Sequence, residues 1–385
     1  MINPTPTVIP YEREGGQWTF REIRQQPEVW RHTRDTLSAA AAEAQAFLAP
    51  LLARPDLRII LTGAGSSAYI GQVLQPELLT RLGRRVEAIA TTDLVSAPRQ
   101  YFQRNVPTLL VSFARSGGSP ESLAAVDLAE QCVATCHHLA ITCNAEGALY
   151  RRCAGRARTL AILLPEATHD RAFAMTSSFT SMLYAGLLLL APDALPVAAA
   201  EAVSAAGERL LDECEAPLRA LVQRGFGRTV YLGSGALAGI AHEAALKLLE
   251  LTDGAVAALS NTPLGFRHGP KTFLTPDTLV VVFVSGDRLA RRYDLDLLRE
   301  LKSDGIAGRV LALSTAPDGL DGLDALVVPG LAAASDLQRG FLYLLWAQLY
   351  AFHRSLSLGR SPDTPSVTGA VHRVVQGVTI HPLES

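Results

Sequence analysis

Hydrophobic and polar positions along this chain fall into two alternating patterns. Short unbroken apolar runs, such as Leu57-Arg-Ile-Ile-Leu-Thr62 and Pro107 to Val111, fit strands buried on both faces. Longer stretches with apolar residues three and four apart fit helices. The pattern predicts strands over 57–62, 85–90, 107–113, 137–142 and 158–164, with helices over 67–82, 119–134, 146–153 and 175–191. Residues 1–27 read as a poorly patterned arm, and Glu28 to Ala49 as one helix. The segment Ala191-Pro-Asp-Ala-Leu-Pro196 breaks the series. A long helical pattern, Val197 to Gly225, then leads to strands over 228–233, 255–259, 278–284, 309–313 and 325–328. Helices over 236–251, 288–304 and 335–354 separate or follow them. Strand–helix alternation of this kind predicts an α/β fold, with parallel sheets covered by helices on both faces.

The second series repeats the first. Thr229-Val-Tyr-Leu-Gly-Ser-Gly235 echoes Ile59-Ile-Leu-Thr-Gly-Ala-Gly65, and Val281-Val-Phe-Val-Ser-Gly-Asp287 echoes Leu110-Val-Ser-Phe-Ala-Arg-Ser-Gly117. The expectation is an arm (1–27), two tandem domains (28–196 and 197–365) and a C-terminal tail (366–385) over the site.

Composition supports two sizeable cores: 48% of the 385 residues are hydrophobic and 19% charged. A net charge of −2, without a basic run, argues against nucleic acid and against a membrane surface. The longest apolar segment, Met182 to Ala191, is too short to span a bilayer. The first residues, Met1-Ile-Asn-Pro-Thr-Pro6, lack the features of a signal peptide, so a cytoplasmic setting is expected. Five cysteines (132, 136, 143, 153 and 214) are scattered without zinc-ligand spacing and read as buried thiols. No metal and no cofactor are expected.

Candidate chemistry begins with two loops that each end a strand and open a helix. Gly63-Ala-Gly-Ser-Ser67 is one, and Ser112-Phe-Ala-Arg-Ser-Gly-Gly-Ser-Pro-Glu-Ser122 is the other. Glycines let the backbone approach an anion, free helix N–H groups point at it, and serine hydroxyls add donors. Neither loop has the glycine spacing of a dinucleotide fingerprint or the Gly-Lys-Ser/Thr of a P-loop. A Ser/Gly turn that only caps a helix explains either loop singly and the pair less well. The hydroxyls are missing from the second copy, so one phosphate site per chain is expected. In the second copy, Glu243, Lys247 and Glu250 share one helix face within a very apolar sequence. That pattern fits either an ion-pair ladder or a partly buried carboxylate tuned as a general base. Asn261-Thr-Pro-Leu-Gly-Phe-Arg-His-Gly-Pro-Lys271 is a rigid loop that presents His268 for acid–base work.

These motifs resemble those of the sugar isomerase (SIS) family. The layout is similar to the isomerase half of glucosamine-6-phosphate synthase. It is closer still to bacterial galactosamine-6-phosphate deaminase/isomerases, a group also called tagatose-6-phosphate ketose/aldose isomerases. The resemblance runs from about residue 30 to the end. It is most specific at Ser112–Ser122, Phe173–Thr180, Glu243–Thr252, Arg267–Pro270 and Val374–Ile380. It implies that Gly65, Ser66 and Ser67, with Arg115, Ser116 and Ser119, hold the sugar phosphate. Met175, Thr176 and Ser177 would line the sugar pocket. The synthase pattern has Ser at the Met175 position, which implies a backbone contact there. Glu250 corresponds to the base that moves a proton between C1 and C2, and Glu243 and Lys247 to supporting positions. His268 corresponds to a ring-opening histidine that the family delivers from a neighbouring subunit. A homodimer with a shared site, or a tetramer built from such dimers, is therefore implied. Gln376 stands where the synthase family has a Lys near C1, and Gln cannot supply a titrating amine.

The expected substrate is a hexosamine 6-phosphate or a related phosphosugar, and the expected reaction is deamination with isomerisation. Simple isomerisation of a neutral hexose phosphate uses the same residues. An enzyme acting on a fructose-amine phosphate is a third candidate, and a non-catalytic phosphosugar sensor is the competing class. A sensor would need the serine loops without Glu250 and His268, and residues 1–50 carry no basic recognition helix. The synthase reaction itself is not expected, since no glutamine-hydrolysing domain stands before residue 30 of this sequence.

Overall fold

The computed structural model describes residues 11–375 and 377–384. Gln376 lies outside the described residues. Two five-stranded parallel sheets form the frame. The first holds β1 (Arg58–Thr62), β2 (Val86–Ala88), β3 (Thr108–Ala114), β4 (Cys136–Thr142) and β5 (Thr159–Leu163), in the order β2-β1-β3-β4-β5. The second holds β6 (Arg228–Gly233), β7 (Ala257–Asn261), β8 (Thr278–Phe283), β9 (Arg309–Ser314) and β10 (Ala325–Val327), in the order β10-β9-β8-β6-β7. Read from the opposite edge, the second order is the first. Register repeats too: Arg58 pairs with Thr108 in one sheet and Arg228 with Thr278 in the other. All seven residues of β3 and all six of β8 are buried, as expected for strands covered on both faces.

Fifteen α-helices are described. Before the first strand come α1 (Gln17–Arg24), α2 (Gln26–Ala39) and α3 (Ala41–Leu52). Within and after the first sheet come α4 (Ser66–Leu82), α5 (Thr91–Ser96), α6 (Pro98–Tyr101), α7 (Pro120–Cys132), α8 (Ala148–Cys153) and α9 (Ser177–Leu190). Next are α10 (Val197–Glu213), α11 (Glu215–Val222), α12 (Ala236–Leu251), α13 (Pro263–Phe266), α14 (Arg288–Asp304) and α15 (Asp336–Ser357). None of the described helices is long and apolar enough to cross a membrane.

The sheets share one core. Ile59, Leu61, Val111 and Phe113 on the inner face of the first sheet join Tyr231, Val281 and Phe283 of the second through α4, α9, α12 and α15. The outer face of the first sheet (Ile60, Leu110) packs against α7, and that of the second (Val230, Leu232, Val280, Val282) against α14. Each sheet is thus the middle of three layers. Helices α4 and α12 cross in the shared core at Gly239, where an added Cβ would stand 2.8 Å from the Val73 backbone nitrogen. A glycine is required there by that close approach. This crossing brings the two copies of the repeat together at the site.

Several boundaries depart from the sequence pattern. The unpatterned segment before residue 28 contains α1, in which Thr19 and Ile23 are fully buried. Its partners are remote: Asp363 accepts hydrogen bonds from the Trp18 and Thr19 backbone N–H groups at 3.1 and 2.7 Å. A helix this short takes its stability from tertiary contacts, which local periodicity does not register. The predicted helices 28–49 and 197–225 are each broken, at Ala40 and Cys214. Strand β7 lies two residues later than expected, and α5 and α6 were not anticipated.

Candidate active site

Strands β1 and β3 are neighbours, but the chain leaves them toward opposite edges of the sheet. Loops at their carboxyl ends therefore flank an open crevice, the usual ligand position in such sheets. Gly63–Ser67 and Arg115–Ser119 are those two loops.

The first loop is a tight strand-to-helix turn. Gly65 has φ +57° and ψ −128°, a backbone that side-chain-bearing residues rarely adopt. A Cβ on Gly63 would fall 2.5 Å from the Ser67 carbonyl carbon, so that position also excludes a side chain. Ser66 and Ser67 open α4, where backbone N–H groups lack helical partners. The second copy repeats the turn at Gly233–Leu237, with Gly235 at φ +56° and ψ −126°. There Ala236 and Leu237 stand in place of Ser66 and Ser67. The backbone cradle is duplicated and the hydroxyls are not.

In the second loop, Ser119 caps α7 and accepts a 3.3 Å hydrogen bond from the Ser122 N–H. The Ser119 and Ser122 hydroxyls are 2.7 Å apart. Ser116 Oγ accepts from the Gly118 N–H at 3.3 Å, which leaves its own proton free to donate. Asn144 holds this loop, donating to the Ser116 carbonyl at 2.9 Å.

Arg115 is buried and takes a different position from the serines. Its guanidinium donates to the carbonyls of Phe173 (3.0 Å) and Arg373 (2.7 Å), tying the loop to the 170–175 segment and to the tail. Burial and the neighbouring Arg373 hold its pKa below the usual guanidinium range. Met175 is the member of the sugar-pocket segment that meets the phosphate loop: Ser67 Oγ donates toward its sulfur at 3.9 Å. Thr176 and Ser177 are fully buried, and their hydroxyls are already engaged. Thr176 donates to Asp170 at 3.2 Å, and Ser177 to the Glu22 carbonyl at 2.7 Å. Both hydroxyls thus fix the segment that carries Met175. Asp170, not singled out from sequence, caps α9 by accepting from the N–H groups of Thr176 (2.8 Å), Ser177 (3.1 Å) and Ser178 (2.9 Å).

The three charged residues of α12 form a cluster at the start of α4. Lys247 and Glu243 have fully buried side chains, while that of Glu250 is 25% exposed. Lys247 Nζ donates to Ser66 Oγ at 2.9 Å and closely to Glu250, and lies 3.5 Å from Glu243 Oε1. Burial pushes the Glu243 carboxyl up to about 8. Burial also depresses the Lys247 ammonium, but the two carboxylates outweigh it and hold Lys247 above its ordinary value. Glu250 is the nearer partner of Lys247, and burial favours the protonated form of Glu243. Tyr69, one turn into α4, is half-buried beside this cluster; burial and then Glu243 raise its phenol. The ion-pair ladder suggested by spacing is present, but it is buried and its accessible end is Glu250.

His268 is elsewhere. It is exposed on the loop after α13, whose Phe266 packs on the outer face of the second sheet, whereas α12 packs on the inner face. Glu300 of α14 anchors the loop, accepting from Arg267 at 2.8 Å and more closely from Lys271. Within one chain, the elements that carry His268 and Glu250 thus pack on opposite faces of the second sheet, and no hydrogen bond or ion pair joins the two side chains among the described residues.

Duplicated three-layer α/β units, with a hydroxyl-rich anion cradle in one copy and a buried charge cluster in the other, define a tandem phosphosugar-type SIS protein. The chain belongs to the SIS domain family: the family's SIS domain model matches residues 51–192. It is 47% identical over 371 residues to D-galactosamine-6-phosphate deaminase AgaS of Shewanella sp. (strain ANA-3), covering 96% of this chain and 92% of that protein. The Escherichia coli protein of the same name is 45% identical over 379 residues, covering 96% and 97%. Among solved structures, the tagatose-6-phosphate ketose/aldose isomerase from Escherichia coli superposes over the whole of both chains with a TM-score of 0.91 at 42% identity.

Proposed function

We propose that this protein is an amino-sugar phosphate deaminase/isomerase that converts galactosamine 6-phosphate to tagatose 6-phosphate and ammonia. The carrying observation is the Ser66–Lys247–Glu250 chain, which sets an accessible carboxylate beside the hydroxyl-lined anion cradle. The names of the relatives supply the substrate.

In this reading Ser66, Ser67, Ser116 and Ser119 hold the phosphate, with Gly65 and the helix N–H groups. Binding energy gained there is remote from the chemistry and can be used to position the sugar. His268 of a second subunit moves a proton at the ring oxygen and O1 to open the pyranose. Glu250 removes the C2 proton of the open 2-amino aldehyde, giving an enolamine. Delivery of that proton to C1 leaves an imine at C2. Water adds to C2, the C–N bond breaks, and ammonia leaves the ketose phosphate. Lys247 holds the Glu250 carboxylate in place, as a general base requires. Arg115 acts through the segment 170–175 and the tail. The packing of the elements that carry His268 and Glu250 on opposite faces of the second sheet supports a homodimer with the site completed across subunits. A cytoplasmic enzyme fits this chemistry.

Simple ketose/aldose isomerisation is the second reading, favoured by the name of the solved neighbour. With a hydroxyl at C2 of the substrate, the same proton transfer stops at the ketose. Assays for ammonia and ketose on galactosamine, glucosamine and fructose-amine 6-phosphates and on tagatose 6-phosphate separate the readings. Stoichiometric ammonia and tagatose 6-phosphate from the galacto substrate is the expected result. Interconversion of tagatose 6-phosphate with an aldose, without ammonia from any amino sugar, would replace the first reading with the second.

A further inference from the structure

A second polar cavity, of about 690 Å³, opens between α1, the segment before α9 and the tail. It shares no lining residue with the two serine loops or with the α12 cluster. Its walls carry Arg21, Arg171 and Arg373, together with His169. The guanidinium groups of Arg21 and Arg171 make no hydrogen bond or ion pair among the described residues. They stack instead on one indole, with Arg171 4.6 Å and Arg21 5.9 Å from the Trp18 ring centroid. Arg373 bonds only to backbone carbonyls, those of Asp170 and Ala172. His169 Nε2 is buried without a hydrogen-bond partner.

Two carboxyl groups line the same cavity, Glu22 and Glu166. Glu22 is directed into the loop backbone, accepting from the Arg171 N–H at 2.5 Å. Burial, and then the neighbouring Asp170, raise its carboxyl above the usual carboxylate range. Glu166 is exposed at the rim. Three guanidinium groups thus face two carboxyl groups in the cavity, and the planar forks of Arg21 and Arg171 are open to a phosphate oxygen pair.

We propose that this cavity is a second, non-catalytic binding site for a phosphate group, held by Arg21, Arg171 and Arg373. Its volume admits a small phosphorylated metabolite as well as free phosphate. Arg373 connects it to the first site, because its carbonyl accepts the 2.7 Å hydrogen bond from Arg115. An occupant here acts as an effector, since no acid or base of the proposed reaction faces the cavity.

Equilibrium dialysis with labelled inorganic phosphate, at ionic strength held constant with potassium chloride, tests this. Two bound equivalents per chain are expected in the wild type. Arg21→Gln/Arg171→Gln should retain one, with an unchanged circular dichroism spectrum, and Ser116→Ala/Ser119→Ala should retain the other. Emission from Trp18, the half-buried tryptophan of the three, should change saturably with phosphate in the serine variant. A single equivalent that survives the arginine changes and disappears with the serine changes overturns the proposal. Displacement of the label by chloride alone also overturns it. A single equivalent lost only with the arginine changes upholds this site and instead removes the phosphate role of the serine loops. In the serine variant, tighter displacement by galactose 6-phosphate than by unlabelled phosphate assigns the site to a phosphorylated metabolite. The reverse order assigns it to free phosphate; both orders uphold a phosphate-group site.

Discussion

Lys247 Nζ donates a 2.9 Å hydrogen bond to Ser66 Oγ, across the crossing of α12 and α4. One residue belongs to the second copy of the repeat and the other to the first. The bond places the base-bearing helix against the anion cradle, and the charge of Lys247 is balanced by Glu250 at the open end of the cluster. Each copy is incomplete alone: the first has hydroxyls without the carboxylate, and the second the carboxylate without the hydroxyls.

Removing the cation should therefore damage more than a contact. Lys247→Ala opens a cavity and removes the cation beside the partly exposed Glu250, at a cost of about 1–3 kcal/mol of folding stability. Lys247→Met, which keeps the volume, should cost less. Urea unfolding checks both, and equal midpoints for the alanine variant and the wild type would show that the ammonium is not balancing buried charge.

The raised carboxyl of Glu243 fixes a sign for the pH dependence. In the unfolded chain this group ionises near the ordinary carboxylate range, whereas in the fold it keeps its proton up to about 8. Between those values the native state binds more protons, so the group's contribution to stability falls as pH rises. Glu243→Gln mimics the protonated form. The urea midpoint of the wild type should drop more between pH 5 and pH 8 than that of Glu243→Gln. Identical slopes would mean that Glu243 is ionised in the fold.

Asp170 holds the turn before α9 with three backbone N–H groups and the Thr176 hydroxyl. Asp170→Ala leaves those buried donors unsatisfied and should cost about 1–3 kcal/mol. Because the same turn carries Met175 against Ser67, KM for the phosphosugar should rise severalfold. Thermal unfolding with a substrate titration measures both; an unchanged KM in a destabilised variant would confine Asp170 to the fold.

The elements that carry His268 and Glu250 pack on opposite faces of the second sheet, which leads to a complementation experiment. Mixing equal amounts of inactive Glu250→Gln and His268→Ala proteins under subunit exchange should restore up to about a quarter of wild-type activity, since about half the dimers are then mixed and each mixed dimer contains one intact site. Activity that stays at the level of the separate variants would mean that the site is not shared between subunits.

Much of this was legible in the sequence because it rests on local signals. The helices 236–251 and 288–304 match their predicted limits, since amphipathic periodicity and the glycines at their ends specify them. The duplicated Gly-x-Gly turn was legible because Gly63, Gly65, Gly233 and Gly235 are each imposed by backbone geometry within five residues. Helix α1, Asp170 and the constraint on Arg115 were not legible. Thr19 depends on Asp363, Ser177 on Glu22, and Arg115 on the Arg373 carbonyl, all contacts between remote segments. Spacing alone put Glu243 and Glu250 on one face but could not say which of them would be buried; the approach of α4 at Gly239 decides that.

The central claim is that Glu250 takes the C2 proton of an amino-sugar phosphate. It is tested most directly by ammonia release from galactosamine 6-phosphate by the wild type and by Glu250→Gln, with phosphosugar binding followed in parallel. The account predicts turnover by the wild type, a loss of about a hundredfold or more in kcat for the variant, and binding within a few fold of normal. Ammonia release by Glu250→Gln at the wild-type rate would contradict it.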